Sequence, residues 1–224
     1  FVAIGLFGLV YFGIAAFMQD DIKRMFAYAS ASHLSFIAAG IFSLNEYGIN
    51  GALYLVIAHA ISTGALFLLV GLIHEETGFK TMKDLGGIAK QAPIFTFVFA
   101  IMLFANVGLP GTNGFVSELL IIFGIYEFNP VLGYIAATTV IIGASYMLWM
   151  FQKAILQDRP EGAPALVMRD LKIKEIIAFV PWVILVFLMG IYPDVFIDKF
   201  EPTVTHYLTD ILHIGGTKWV NFSI

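Results

Sequence analysis

Apolar residues run along the 224-residue chain in six long blocks, near 1–18, 22–43, 50–74, 92–126, 130–156 and 173–193, with polar or charged clusters between them. A helix needs about 20 mostly apolar residues to cross roughly 30 Å of hydrocarbon, so each block reads as a transmembrane helix. The fourth block is longer than one crossing requires, and it carries Gly108, Pro110, Gly111 and Gly114 within seven positions. Gly and Pro together cost a regular helix several kcal/mol, and backbone groups released at that depth must be met by protein or water. A discontinuous helix, of the kind transporters use at ion sites, fits this block better than an ordinary turn between two short helices. The expected fold is therefore an all-α polytopic membrane protein with six transmembrane spans, one of them discontinuous. Residues 1–194 would form the helical bundle and 195–224 an interfacial tail, where His206, His213 and Trp219 mix polar and aromatic character without evident chemistry. The chain opens at Phe1 inside an apolar run, with neither Met nor a charged leader, which suggests the later part of a longer protein.

Composition narrows the function classes. With 59% hydrophobic residues, 12% charged residues and a mean hydropathy of +0.88, the chain is far too apolar for a soluble domain. Nucleic acid is not an expected partner; lipid is. The sequence has no Cys, which excludes thiolate-held zinc, iron–sulfur clusters and disulfides. Neither a metal nor a cofactor is expected in this chain, and any redox chemistry would fall to other proteins. The cations divide unevenly between the alternating connections. Ten of the 12 fall on one face, in the loops that contain Arg24, Lys83 and Arg159, and only Lys199 and Lys218 on the other. An excess of Lys and Arg marks the cytoplasmic side of short loops, so these three loops are expected in the cytoplasm and the C-terminus in the periplasm.

Ionisable side chains inside such blocks are costly, which makes the few present the candidates for function. Glu118 follows the glycine–proline break. A half-helix N-terminus near residue 113 would favour an anion about one turn later, while burial favours the neutral acid. A carboxyl balanced in this way can exchange protons; the plainer alternative is that it caps the break. His33 lies ten residues beyond Lys23, roughly 15 Å deeper along a helix, and His59 reaches a similar depth from the opposite side. Ser62 and Thr63 share the face of His59. Either histidine alone could be a hydrogen-bonded packing residue, but two His and one Glu at matching depth on consecutive spans favour a proton relay. The histidines are expected on the order of 10 to 15 Å apart, joined by three to five hydrogen-bonded steps. Three groups on three helices lack metal-ligand spacing. Lys23, in QDDIKR, either anchors the helix end at the interface or opens the polar axis to the cytoplasm.

The segments DIKRMFAYASASHLSF (21–36), GALYLVIAHAISTGALFLLVGLIHEETGFK (51–80), DLGGIAK (84–90) and GLPGTNGFVSELLIIFG (108–124) closely resemble one family. It is the antiporter-like subunit M family of bacterial NADH-quinone oxidoreductase, counterpart of chain 4 of mitochondrial complex I. The resemblance implies a parent fold of fourteen helices with two inverted five-helix repeats, of which this chain would supply helices nine to fourteen. It further implies that His33 and His59 belong to a central hydrophilic axis, that Glu118 is its terminal proton-exchanging residue, and that Lys23 occupies the D-[IL]-K position of the family. Related L and N subunits and multisubunit sodium/proton antiporters usually carry Lys where this chain has Glu118. The implied function is proton translocation in the membrane arm of respiratory complex I, in the bacterial inner membrane, coupled to quinone reduction elsewhere in the complex. Implied partners are antiporter-like neighbours, a lateral helix and lipid. A multisubunit sodium/proton antiporter, a membrane-bound hydrogenase, the photosynthetic ferredoxin-dependent complex or a packing scaffold are the alternatives. The Glu and Lys of the family's first half are not among these residues, so the segment would not pump alone.

Overall fold

The computed structural model describes residues 1–159 and 166–213, and apart from one isolated bridge pairing Asp21 with Thr81 its regular structure is helical. The helices are α1 (Val2–Phe17), α2 (Ile22–Phe42), α3 (Glu46–Thr77), α4 (Ile88–Gln91), α5 (Pro93–Asn106), α6 (Asn113–Phe128), α7 (Pro130–Phe151), α8 (Ile173–Ile191) and α9 (Asp194–His206). Their starts follow the expected cap chemistry, in which a side-chain oxygen accepts from an otherwise unpaired N–H of the first turn. Asp21 accepts from Arg24 N–H at the start of α2, and Asn45 from Gly48 N–H at the start of α3. Asn129 caps α7, which opens with Pro130, a residue that loses nothing at the first helical position.

Among the described residues, four helices are long and apolar enough to cross a membrane: Ile22–Phe42, Glu46–Thr77, Pro130–Leu156 and Ile173–Ile191. Val2–Phe17 and Pro93–Asn106 are apolar but shorter. The first and fourth apolar blocks account for the difference from six. The first yields a 16-residue helix. The fourth is divided into α5 and α6 at its glycine–proline run, so neither half has the length of a full crossing.

Helix α3 occupies the centre, packed against α2, α5, α6, α8 and α9. Small residues let it approach α6 closely. A methyl group added at Gly51 would lie 2.7 Å from the Ile121 nitrogen, and one at Gly124 would run into Gly48. The outer face of α1 exposes Phe1, Ile4, Phe7, Tyr11 and Ile14, as suits a surface whose surroundings are hydrocarbon. Helix α9 lies on α3 through buried Ile197 and Val204. Lys218 and Trp219 of the C-terminal tail lie outside the described residues.

Candidate functional site

Between α5 and α6 the chain turns through residues 107–112, with Gly108 at φ 77° and Gly111 at φ 90°. L-side chains rarely adopt these values, so glycine suits both places. The turn re-uses the carbonyls that the helix break releases: Leu109 N–H donates to the Phe104 carbonyl at 3.0 Å, and the Thr112 hydroxyl to the Leu109 carbonyl at 2.7 Å. Polar side chains from both halves turn inward, and Asn106, Asn113, Ser117 and Glu118 are all buried.

Glu118 sits five residues beyond Asn113, the first residue of α6, so the half-helix starts where the sequence placed it. Helical side chains lean toward the N-terminus, which brings the carboxyl back against the break. A β-carbon at residue 108 would stand 2.7 Å from Glu118 Oε2, so glycine there supplies room as well as backbone freedom. Across the seam, His33 Nε2 of α2 lies 3.6 Å from Glu118 Oε1, just beyond direct hydrogen-bond range. A cavity of about 20 Å³ open to water adjoins both groups and is lined also by Asn106, Thr139 and Tyr146. That is room for about one water molecule.

His59 of α3 meets His33 edge to face, with ring centroids 4.9 Å apart and an interplanar angle of 67°. The expected separation of 10 to 15 Å was too long. Depth counted along each helix said nothing of lateral distance, and α2 and α3 are neighbours that turn both rings into one seam. The far side of His59 is fully engaged. Its Nε2 lies 2.7 Å from Ser30 Oγ and its Nδ1 3.0 Å from Thr63 Oγ1. Asn106 Nδ2 donates to Thr63 Oγ1 at 2.6 Å and to Ser62 Oγ at 3.3 Å. With its oxygen accepting from Asn106, Thr63 has its one hydrogen free for His59 Nδ1. That hydroxyl meets Nδ1 of the ring while Ser30 meets Nε2.

The structure thus brings together Glu118, His33 and His59 from three helices. It does not bring Lys23 to them. Lys23 is exposed at the start of α2, on the rim of a separate cavity of about 400 Å³ lined by Asp21, Phe67, Gly71, His74 and Lys80. Ser30 lies two helical turns further along α2, between Lys23 and the histidines. Ser30, Asn106 and Tyr146 were not singled out from the sequence. Ser30 could have been, at three residues before His33 on the same face, as could Asn106, the last polar residue before the break. Nothing local marks Tyr146, which reaches the cavity from α7. Among the described residues no group of three or more His, Asp or Glu is arranged to hold a metal ion.

The chain has known relatives. The family model described as NADH:quinone oxidoreductase/Mrp antiporter, TM matches residues 1–143, which include His33, His59 and Glu118. NADH-quinone oxidoreductase subunit M of Rhodobacter capsulatus is 33% identical over 198 residues, covering 88% of this chain and 38% of that protein. NADH-ubiquinone oxidoreductase chain 4 of Marchantia polymorpha is 32% identical over 205 residues, covering 91% of this chain and 41% of that one. A chain of the respiratory complex I structure from Thermus thermophilus with bound NADH superposes with a TM-score of 0.86 at 32% identity, over 96% of this chain and 44% of its own length. The chain therefore spans less than half the length of the curated relatives it matches. Matched by the family model over well more than half of its residues, and superposing on a complex I chain almost throughout, it belongs to the NADH:quinone oxidoreductase/Mrp antiporter family of transmembrane proteins.

Proposed function

We propose that this chain is part of a proton-translocating membrane-arm subunit of respiratory complex I, in which Glu118, His33 and His59 hand protons along a buried seam. The single observation that carries this reading is their convergence at the helix break, with His33 3.6 Å from Glu118 and 4.9 Å, ring to ring, from His59. A neutral imidazole accepts a proton on one nitrogen and gives one up from the other, so it can pass charge in either direction. A proton that leaves the Glu118 carboxyl for His33 Nε2, directly or through one water in the adjoining cavity, makes a carboxylate–imidazolium pair. Return of that proton resets the site; its onward passage toward His59 and Ser30 leaves Glu118 a carboxylate until a second proton reaches it. Low dielectric raises the cost of leaving either charge uncompensated, which ties the two protonation states together.

Around this core, α5, the break and α6 together form one discontinuous span, which with α1, α2, α3, α7 and α8 makes six. The cation-rich connections at Arg24, Lys83 and Arg159 face the cytoplasm and the C-terminus the periplasm of a bacterial inner membrane. Lys23 stands at the cytoplasmic entry, where the large cavity beside it gives water a route toward Ser30. Quinone reduction takes place in other subunits, and this chain carries no cofactor or metal. Antiporter-like neighbours, a lateral helix and lipid cover its apolar outer faces. The names of its relatives support the assignment to complex I.

Glu118→Gln in the intact complex tests the reading, because the amide keeps the shape but cannot exchange a proton at neutral pH. Proton transfer through this subunit should fall about 100-fold, a typical worth of a positioned acid–base group, and the proton-to-electron ratio of inside-out vesicles should fall with it. Glu118→Asp should keep more of the activity. An assembled Gln variant that pumps at the unchanged ratio refutes the proton-exchange role.

A further inference from the structure

Helix α3 carries a second run of buried groups that the central seam does not use. Glu46, Asn50, Tyr54, Ala58 and Ser62 recur at every fourth position, and all five are buried. Each member is a neighbour of the next on the helix surface, about 6 Å further along, and the row winds slowly around α3. At one end the column joins the seam: Ser62 Oγ accepts from Asn106, and the Ala58 carbonyl accepts from Asn113 Nδ2 at 3.3 Å. In its middle the Tyr54 hydroxyl donates to the Met189 carbonyl at 2.5 Å. At its far end Glu46 accepts from the Thr205 hydroxyl, near the end of α9, at 3.2 Å.

Asn50 is the anomaly in this column. It is 0% exposed, and neither its Nδ2 nor its Oδ1 has a partner in the protein. Asn113 Oδ1 and Asn106 Oδ1, where the column meets the seam, are likewise buried without a protein partner. An amide enclosed in this way is worse for stability than an apolar residue of the same shape, unless internal water satisfies it. These three amides, one each on α3, α5 and α6, all keep hydrogen-bonding capacity that internal water would meet.

We propose that this column is the release side of the proton path, a file of internal water held by Asn106, Asn113, Tyr54 and Asn50 that ends on Glu46, with Thr205 of α9 closing its mouth. The inference rests on the reading of the seam as proton-translocating. A proton leaving the seam forms an O–H bond on the first water as another O–H bond of that water breaks toward the next, and so along the file. The last transfer protonates the Glu46 carboxylate. Release of that proton to solvent when α9 gives way restores the carboxylate, so no oxidant, reductant or co-reactant is consumed.

The test measures the proton-to-electron ratio of the intact complex in inside-out vesicles carrying Asn50→Leu, Glu118→Gln and both together. Asn50→Leu should lower the ratio to the value reached by Glu118→Gln, and the double variant should go no lower, because two blocks on one path do not add. Asn50→Ser, which puts a hydroxyl in place of the amide and leaves room for water, should retain most of the ratio. An assembled Asn50→Leu complex at the wild-type ratio, beside a Glu118→Gln complex at a reduced one, overturns the release column and leaves the seam standing. Wild-type ratios in both overturn the seam as well. The chain has no cysteine of its own, so Asn50→Cys adds a single thiol to it. Silver ion applied from the α9 side should block pumping in this variant beyond its effect on the unsubstituted complex. A thiol that silver does not reach overturns the column even where Asn50→Leu fails to assemble.

Discussion

The seam at the middle of α3 and the clasp at its end are both polar clusters, and they are built on opposite plans. At the clasp Arg169 uses its whole guanidinium: Nε donates to Glu76 at 2.7 Å, and Nη1 and Nη2 donate to the two oxygens of Glu175 at 2.8 Å each. Glu175 accepts in addition from Lys172 N–H, and neighbouring Asp170 accepts from Ile94 and Phe95 N–H to cap α5. In the seam the closest charged approach is 3.6 Å, and His33 Nδ1 and Asn106 Oδ1 have no protein partner. A structural cluster saturates its donors and acceptors, because each one left over costs stability. A cluster that must move protons keeps some capacity unassigned, since a saturated network has no second arrangement to move into.

The comparison can be broken most severely at Gly108. Gly108→Ala forces φ 77° on a residue that rarely adopts it and sets a methyl carbon 2.7 Å from Glu118 Oε2. Strain and overpacking together should cost about 1–3 kcal/mol, read as a lower unfolding temperature of the detergent-solubilised complex. The displaced carboxyl should also lower the proton-to-electron ratio. If stability falls and the ratio does not, the position of Glu118 is less critical to transfer than the seam geometry implies.

How far this geometry could be read in advance differed from residue to residue. The helical class and the break were legible, and Glu118, His33 and His59, which the fold brings together, stood out because membrane burial makes a lone ionisable group conspicuous. The direct contact of the two histidines was not, since helix register reports depth and facing but not which helices are neighbours. Asn50 and Tyr54 were invisible for another reason. Each is unremarkable alone, and only the fourth-position spacing from Glu46 to Ser62, together with complete burial, sets them apart. The clasp was not legible, because Glu76 lies 93 residues from Arg169 and only the fold brings it to the Arg169–Glu175 pair.

A milder change sharpens the comparison at Asn106. Asn106→Leu removes the donor to the Thr63 oxygen, and with it the support of the hydroxyl that meets His59 Nδ1. The stability loss should be about 1 kcal/mol, the net worth of a buried hydrogen bond. The informative readout is the pH profile of pumping, which should move relative to wild type because the hydroxyl beside His59 has lost its donor. A stability loss with an unmoved profile would make Asn106 a packing residue.

The smallest effect on pumping is expected at the clasp, and it tests the other half of the contrast. Arg169→Gln leaves Glu76 and Glu175 without their shared cation, so the variant should be less stable than wild type, and high salt should narrow the gap, because these side chains remain partly exposed to screening. Its proton-to-electron ratio should be unchanged. The hydrogen bonds with Glu175 hold the Arg169 guanidinium above its ordinary value. A raised cation contributes its stability in full below the ordinary arginine value, about 12.5, and loses it only as pH climbs through the higher folded one. Arginine titration therefore gives the difference between wild type and variant no slope over roughly pH 6 to 9. The deficit of a seam variant lies in proton transfer itself and should appear in the ratio throughout that same interval. A clasp variant that altered the ratio, or did so in a pH-dependent way, would show that the saturated cluster also takes part in transfer, and the division between holding and moving would fail.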